Sequence, residues 1–187
     1  MSAIPDGRRH RWSVDEYLRM GEQGLLGPET RTELIDGGVV HMPPIGATHA
    51  GMVASLTRRL TFAVGDRALV WARNPVMLFE HDAPQPDACL LRPRADEYRR
   101  SLPEAADVLL IIEVSDSTLA CDRDHKAPMY ARAGIPESWR IEVGAERIVV
   151  QREPRNGRYA VETIATAPWR TDIVALPELF VDLSGLF

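Results

Sequence analysis

The sequence predicts an α+β protein, α/β-like in its element order, built on a mixed central β-sheet. Two helix-like segments near the N-terminus are followed by several short β-prone segments, one further helix and three more β-prone segments. This order is typical of a sheet that is flanked by helices. Residues 107–114 are apolar at almost every position, which indicates a strand buried on both faces.

The composition is that of a globular protein. The chain has 187 residues, of which 45% are apolar and 26% are charged, and these values are ordinary for one domain with its own core. The formal net charge of -5 provides no global argument for a nucleic-acid partner. Three groups of arginines nevertheless interrupt this acidic background, at Arg8, Arg9 and Arg11, at Arg58 and Arg59, and at Arg92, Arg94, Arg99 and Arg100.

The sequence shows neither a targeting segment nor a cysteine pattern typical of a metal site. The first residues lack the apolar segment of a signal peptide, and no apolar run is long enough to cross a bilayer. We therefore expect a cytoplasmic protein with no membrane partner. Cys89 and Cys121 lack C-x-x-C spacing, so we interpret both as small core residues rather than zinc ligands.

The N-terminal part predicts a leader, a helix, a hairpin and a second helix. We expect residues 1–12 to be a flexible leader and residues 13–187 to form one domain. Ser13-Val-Asp-Glu16 has the capping-box pattern of a helix start. Asp36-Gly37 lies between two β-prone runs and predicts a hairpin, and residues 48–64 have helical apolar spacing.

The remainder of the chain predicts mostly strands. One helix is expected at 122–133, although Pro128 lies inside it. Asn156-Gly157 predicts a turn between the last two strands, and the apolar tail, 173–187, is expected to pack back on the domain. The predicted strands are 69–71, 76–79, 88–91, 107–114, 139–143, 147–151 and 159–163.

Polar residues at the strand ends indicate a candidate site. Glu33, Asp87 and Glu113 each lie where a predicted strand begins or ends, and Lys126 follows on the next helix. Carboxylates that converge in this way can bind Mg²⁺, which lowers the pKa of a bound water and neutralises charge on a phosphate. The alternative is a structural ion pair between Glu113 and Lys126, because a buried carboxylate needs a partner.

Several segments taken together resemble the Uma-type restriction endonuclease family, part of the PD-(D/E)XK nuclease superfamily. The similarity spans roughly residues 13 to 160, in the order in which the family has these segments. The matching segments are Glu33-Leu-Ile-Asp-Gly37, Met42-Pro-Pro with His49, Pro86-Asp87, Ile112-Glu113-Val-Ser-Asp-Ser-Thr-Leu119, Asp122-Arg-Asp-His-Lys126 and Tyr130-Ala-Arg-Ala-Gly-Ile-Pro-Glu137.

The resemblance implies a restriction-endonuclease-like fold and a site for Mg²⁺, with Mn²⁺ as a substitute. Asp87 and Glu113 would be the metal ligands and Glu33 an additional acid. Ser115 stands where the superfamily motif expects lysine, and Lys126 on the following helix would replace it. The resemblance further implies DNA as the substrate and a homodimer.

Other polar residues near these motifs have simpler interpretations. We interpret His49 as structural, Tyr130 as a core aromatic residue with a bonded hydroxyl, Asp36 as a turn residue and Asp122 as a helix N-cap. Two features depart from the family pattern: Cys121 replaces an aromatic residue, and Ser138-Trp139-Arg140-Ile141 places an arginine in or beside a strand.

The leading hypothesis is a Mg²⁺-dependent endonuclease that hydrolyses DNA phosphodiester bonds. In it, Asp87 and Glu113 hold the metal, Lys126 positions the attacking water, Glu33 completes the acidic site, and the arginine groups bind backbone phosphates. One alternative is a non-catalytic dimeric module that binds nucleic acid or protein and retains the fold. A phosphoesterase that acts on a small substrate is another, and a pocket too narrow for a duplex would favour it.

Overall fold

The computed structural model describes residues 9–27, 30–165 and 169–187. None of the helices in these ranges is long and apolar enough to cross a membrane. The helices are α1 (Val14–Glu22), α2 (Ala47–Val64), α3 (Leu119–Cys121) and α4 (Ala127–Arg132), and a π-helical segment, Asp122–Lys126, joins α3 to α4. The strands are β1 (Thr32–Ile35), β2 (Gly38–His41), β3 (Leu69–Trp71), β4 (Ala88–Leu91), β5 (Val108–Ser115), β6 (Glu137–Glu142), β7 (Arg147–Arg155), β8 (Arg158–Ala165), β9 (Arg170–Ile173) and β10 (Leu176–Asp182).

Six strands form the main sheet, in the order β3-β4-β5-β6-β7-β8. Strands β5 and β6 are parallel, and the other neighbours in this sheet are antiparallel. A parallel pair needs a crossover connection, which the helical run from α3 to α4 supplies. This architecture confirms the predicted α+β class with a mixed sheet flanked by helices.

Each face of the sheet is covered by a different part of the chain. Helix α2 and the β9–β10 hairpin cover one face, where Leu56 and Val181 belong to the same buried cluster as Ile112. On the other face, Tyr130 of α4 shares a buried cluster with Ile111 of β5. Because successive side chains of a strand point to opposite faces, Glu113 lies on the α4 side of the sheet, with Ile111.

The predicted local signals at the N-terminal helix and the two hairpin turns are present. Ser13 caps α1, and Glu16 returns a bond to the backbone of Ser13, which completes the capping box. Asp36 and Gly37 have φ values of 49° and 73°, as the two central residues of a type I′ turn require. Asn156 and Gly157, at 51° and 73°, repeat this geometry between β7 and β8.

The predicted strand at 76–79 is wrong. Met77 and Phe79 form isolated bridges, with Glu104 and Asp82, and the segment joins no strand of the sheet. The reason lies in its backbone donors, which go to different segments: Val76 N–H to Pro84, Met77 N–H to Pro103 and Leu78 N–H to Asp82. A β-ladder requires successive bonds to one neighbour, and this segment has none.

The third predicted helix differs from the structure in its start and its regularity. Helical geometry begins at Leu119, after Thr118 at the N-cap, so Asp122 is not a cap. The π-helical segment precedes Pro128, which has no N–H to donate to the previous turn. A π turn accommodates the missing donor, and such turns are frequent at functional sites.

Two further expectations concern single residues. Cys89 is buried as predicted, but Cys121, at the end of the short helix α3, is exposed. Arg140 does lie within a strand, β6, where its Nε donates to Glu142 at 2.9 Å. The strand therefore accommodates this departure from the family pattern with a buried ion pair.

Residues 1–8 of the predicted leader lie outside the described residues. The rest of the leader contacts the domain: Trp12 N–H donates to the carbonyl oxygen of Gly37 at 3.0 Å, and Arg11 forms an ion pair with Asp36. The flexibility of the leader stays a prediction.

Candidate active site

Four elements bring the predicted site residues together in one cavity. Glu33 comes from β1, Asp87 directly precedes β4, Glu113 lies in β5, and Lys126 ends the π-helical segment. All four line a cavity of about 300 Å³. Their exposed fractions are 5%, 7%, 5% and 5% in the same order, so each charge is largely removed from water.

Lys126 bridges two of the carboxylates. Its Nζ lies 3.0 Å from Glu33 Oε2 and 3.2 Å from Glu113 Oε1. Ser115 lies on the same face of β5 as Glu113 but is uncharged. The cation beside Glu113 therefore comes from the helical segment that covers this face of the sheet. The Glu113–Lys126 ion pair expected from the sequence is present, and Glu33 shares its cation.

Glu113 accepts more hydrogen bonds than the other carboxylates among the four site residues. Its Oε1 accepts hydrogen bonds from Lys126 and from the hydroxyl of Tyr130, and its Oε2 accepts a long one, 3.4 Å, from the N–H of Asp87. Burial raises the pKa of Glu113 to about 8, although the positive charge of Lys126 opposes the shift. Near neutral pH this carboxyl group therefore holds its proton more tightly than an exposed glutamate does.

Lys126 remains protonated under the same conditions. Burial acts to lower the pKa of Lys126, but the surrounding carboxylates of Glu113, Glu33 and Asp122 outweigh it and hold the pKa above its ordinary value. A lysine that keeps its proton is a hydrogen-bond donor and a fixed positive charge rather than a base.

Asp87 is oriented by two donors at one oxygen. Its Oδ2 accepts a hydrogen bond of 2.9 Å from Val114 N–H and lies 3.1 Å from His49 Nε2. Its Oδ1 has no hydrogen-bond partner among residues 9–27, 30–165 and 169–187. One oxygen of Asp87 is thus held in place while the other is available to a ligand.

Asp122 is a further buried carboxylate beside the site. Its Oδ2 accepts hydrogen bonds from Ser115 Oγ at 2.8 Å and from Thr118 Oγ1 at 2.6 Å. Burial raises the pKa of Asp122, while these hydroxyls and Lys126 oppose the shift. Ser115, at the position where the superfamily motif has lysine, thus helps to hold the segment that delivers Lys126.

The donor set fits a hard divalent cation that keeps most of its water. In the part of the chain that the structure describes, no three histidine, cysteine or carboxylate side chains form a preformed metal cluster. Mg²⁺ is commonly held by one or two carboxylates, with water and substrate phosphates as the other ligands. Asp87, with its available Oδ1, and Glu113, whose Oε2 carries one long hydrogen bond, meet that requirement.

Sequence reasoning underestimated the surroundings of these four residues. Tyr130 is a buried aromatic residue with a bonded hydroxyl, as predicted, and both Tyr130 and His49 hydrogen-bond a proposed metal ligand. The spacing of Asp122, Lys126 and Tyr130 was an available signal, because residues four apart share a helix face. Arg31, which also lines the cavity, carries no such signal.

Comparisons with known proteins agree with the fold and with the family that the sequence resembles. The Uma2 family model, described as "Putative restriction endonuclease", matches residues 14–184. A crystal structure of "a putative nuclease belonging to DUF820" from Anabaena variabilis superposes with a TM-score of 0.61 at 16% identity, covering 83% of this chain and 85% of that one. No curated protein matches the chain. The family description and the fold are those of nucleases, and the chain belongs to the Uma2 family.

Proposed function

We propose that the protein is a Mg²⁺-dependent endonuclease that hydrolyses DNA phosphodiester bonds. The observation that carries the proposal is the Lys126 ammonium held between Glu33 and Glu113 in the same cavity as Asp87. Such a set combines two candidate metal ligands with a fixed positive charge, as hydrolysis of a charged phosphodiester requires. Mn²⁺ is expected to substitute for Mg²⁺.

Asp87 and Glu113 would hold the ion, which when bound supplies Lewis acidity and neutralises charge on the phosphate. His49 and Val114 N–H fix the orientation of Asp87, and Tyr130 fixes Glu113.

Lys126 acts by hydrogen bonding and charge. Because its pKa is held above the ordinary value, its ammonium orients the attacking water and stabilises the negative charge that develops on the phosphate. Glu33 keeps that ammonium in position through the 3.0 Å contact and thereby completes the acidic site. The homodimer and the cytoplasmic location stay predictions.

The test compares isosteric variants of the proposed ligands. With Mg²⁺ or Mn²⁺ we expect the purified protein to cleave DNA, and Asp87→Asn and Glu113→Gln to lower the cleavage rate by more than about 100-fold. Both variants keep the side-chain shapes, so their thermal unfolding should remain cooperative. Titration calorimetry should show that both have lost the binding of Mg²⁺.

Asp66→Asn is the matched control, because Asp66 is exposed in the turn after α2 and lies outside the cavity. It should cleave and bind metal as the unaltered protein does. The proposal fails if the unaltered protein cuts no nucleic acid with either metal, or if the two ligand variants cut as fast as the control.

A further inference from the structure

The depth of the site limits what can reach it. Glu33, Asp87, Glu113 and Lys126 are each at least nine-tenths buried and lie in a cavity of about 300 Å³. This volume is at the lower end of the range for small-molecule pockets, about 300 to 1,000 Å³. A phosphodiester group must therefore enter the cavity to meet these side chains.

Two walls of the cavity come from distant parts of the chain. One wall consists of the end of β2 and the segment that follows it, and another is the turn after β5, residues 116–118. A paired duplex is wide and stiff, with a major groove about 12 Å across and its bases held in the stack. A nucleotide that is already unpaired can leave the stack and enter, and enzymes whose target sits in a pocket act on such strands.

The first wall also has the chemistry of a nucleotide-binding surface. Its side chains are largely apolar, in contrast to the carboxylates at the base of the cavity, and they can pack against a sugar or the face of a base. The apolar ones are Val40, Met42, Pro43, Pro44 and Ile45, and His41 lies among them.

Arg31 lies in the same cavity and forms no ion pair with a carboxylate of the described residues. It is half-buried directly before β1, and its Nη2 is buried without a hydrogen-bond partner. No carboxylate of residues 9–27, 30–165 or 169–187 forms an ion pair with it, although several carboxylates line this cavity. A buried guanidinium N–H without an acceptor is costly, and a phosphate oxygen matches its planar donors.

Several arginines of the groups predicted to bind backbone phosphates are engaged within the chain. Arg11, Arg94 and Arg99 form ion pairs with nearby carboxylates. Arg59 donates to the carbonyl oxygens of Asp182 and Ser184. Binding to duplex DNA usually depends on several arginines or lysines that neutralise phosphates, and the net charge of -5 does not favour it.

We infer that this site acts on an unpaired nucleic-acid strand, a single strand or an unpaired flap, with Arg31 binding the phosphate of the nucleotide that enters the cavity. The inference rests on the proposed function and narrows its substrate class. Under this inference the main contact to a phosphate is Arg31, and not the arginine groups.

Binding measurements test this without cleavage. In Ca²⁺, fluorescence anisotropy would compare one oligonucleotide as a single strand, as a blunt duplex and as a duplex with an unpaired flap. We expect the single strand and the flap to bind at least about 10-fold more tightly than the blunt duplex. Loss of a charge-assisted phosphate bond in Arg31→Ala should weaken single-strand binding by about 10-fold or more, with partial recovery in Arg31→Lys.

Arg158→Ala is the matched control, because Arg158 is exposed at the start of β8 and lies outside the cavity. It removes the same charge and should bind as the unaltered protein does. The inference is overturned if the blunt duplex binds as tightly as the single strand, or if Arg31→Ala behaves as Arg158→Ala does.

Cleavage assays separate this inference from the proposed function. A protein that binds single strands through Arg31 but cuts nothing with Mg²⁺ or Mn²⁺ supports the inferred recognition and refutes the endonuclease proposal. A protein that cuts blunt duplex at least as fast as the flap substrate keeps the proposed function and refutes the inference. Hydrolysis of bis(p-nitrophenyl) phosphate without binding of any oligonucleotide refutes both and indicates a small phosphodiester substrate.

Discussion

Neighbouring groups shift the pKa of Glu113 in opposite directions. Burial and the nearby carboxylates of Asp122 and Asp87 favour its protonated form, whereas Lys126 and the Tyr130 hydroxyl favour the charged form. Burial prevails, and the pKa is raised from 4.5 to about 8. The native protein thus binds this proton more tightly than the unfolded chain does.

This shift predicts a pH dependence of stability. A carboxyl group whose pKa is raised on folding contributes stability below its unfolded pKa, and that stability is lost as the pH rises through its folded pKa. Glu113 should therefore lower the free energy of unfolding as the pH rises from 4.5 to about 8. The slope is at most about 1.4 kcal/mol per pH unit, and urea unfolding in EDTA would measure it.

Glu113→Gln is the control, because its amide is neutral at every pH and resembles the protonated acid. The variant should be about as stable as the unaltered protein near pH 5, and more stable by about 1 kcal/mol or more above pH 8. A constant difference between the two proteins across this range would contradict a raised pKa for Glu113.

At the scale of elements, the β1–β2 hairpin forms a wall of the site and its turn is closely packed. Gly37 has a φ of 73°, and a Cβ added there would lie 2.6 Å from Arg11 Cβ and 2.8 Å from Arg11 Cα. The turn between β7 and β8 has the same φ at Gly157, but there the nearest atom is Arg132 Cγ, at 2.9 Å, in a flexible side chain. The two turns share their backbone geometry and differ in what they contact.

Gly37→Ala should therefore destabilise the protein more than Gly157→Ala. Both substitutions place an alanine at positive φ, which costs about 1 kcal/mol. The contact with the Arg11 backbone adds a clash that the flexible side chain of Arg132 can avoid, so we expect a difference of about 1 kcal/mol or more in urea unfolding. Equal losses would mean that the Arg11–Trp12 segment moves away from the turn at little cost.

The helical run between β5 and β6 is the second element that shapes the site. Its π-helical segment places Asp122 against Ser115 and Thr118, and Lys126 against Glu33 and Glu113. The crossover that joins the parallel strands thus also carries the lysine.

At the scale of the whole molecule, the C-terminal hairpin is part of the main core. Ile173, Val181 and Leu183 lie in the same buried cluster as Leu56 of α2 and Trp139 of β6. The C-terminal hairpin therefore shares one hydrophobic core with α2 and the main sheet.

Leu183→Ala should lower the stability of the entire molecule. Leu183 is fully buried, so we expect a loss of about 2 to 5 kcal/mol, with tryptophan fluorescence and circular dichroism changing in one coincident transition. Phe180 is 51% exposed in the same hairpin, and Phe180→Ala should cost less than about 1 kcal/mol. Two separate transitions in Leu183→Ala would show that the hairpin unfolds independently.

Features that depend on neighbouring residues could be predicted from the sequence. The capping box at Ser13, the helical spacing of residues 48–64, the buried strand β5 and the turn at Asp36-Gly37 are all confirmed. Caps, turns and apolar periodicity are read from a few consecutive residues, because they reflect local backbone hydrogen bonding and the burial of one face. The resemblance to a nuclease family, confirmed by the match over residues 14–184, added expected roles for the candidate carboxylates and lysine.

Which of these groups come into contact depends on the tertiary structure. Glu33 and Lys126 are far apart in the chain, and packing of the β1–β2 hairpin against the crossover brings them to 3.0 Å. Segment 76–79 is not a strand because the N–H groups of Val76, Met77 and Leu78 donate to three different segments. Arg31 Nη2 is buried without a hydrogen-bond partner among the described residues, although several carboxylates line the same cavity. Burial, and the hydrogen-bond or ion-pair partners that a group finds, depend on how distant segments pack. Residue spacing along the chain contains little information about that packing.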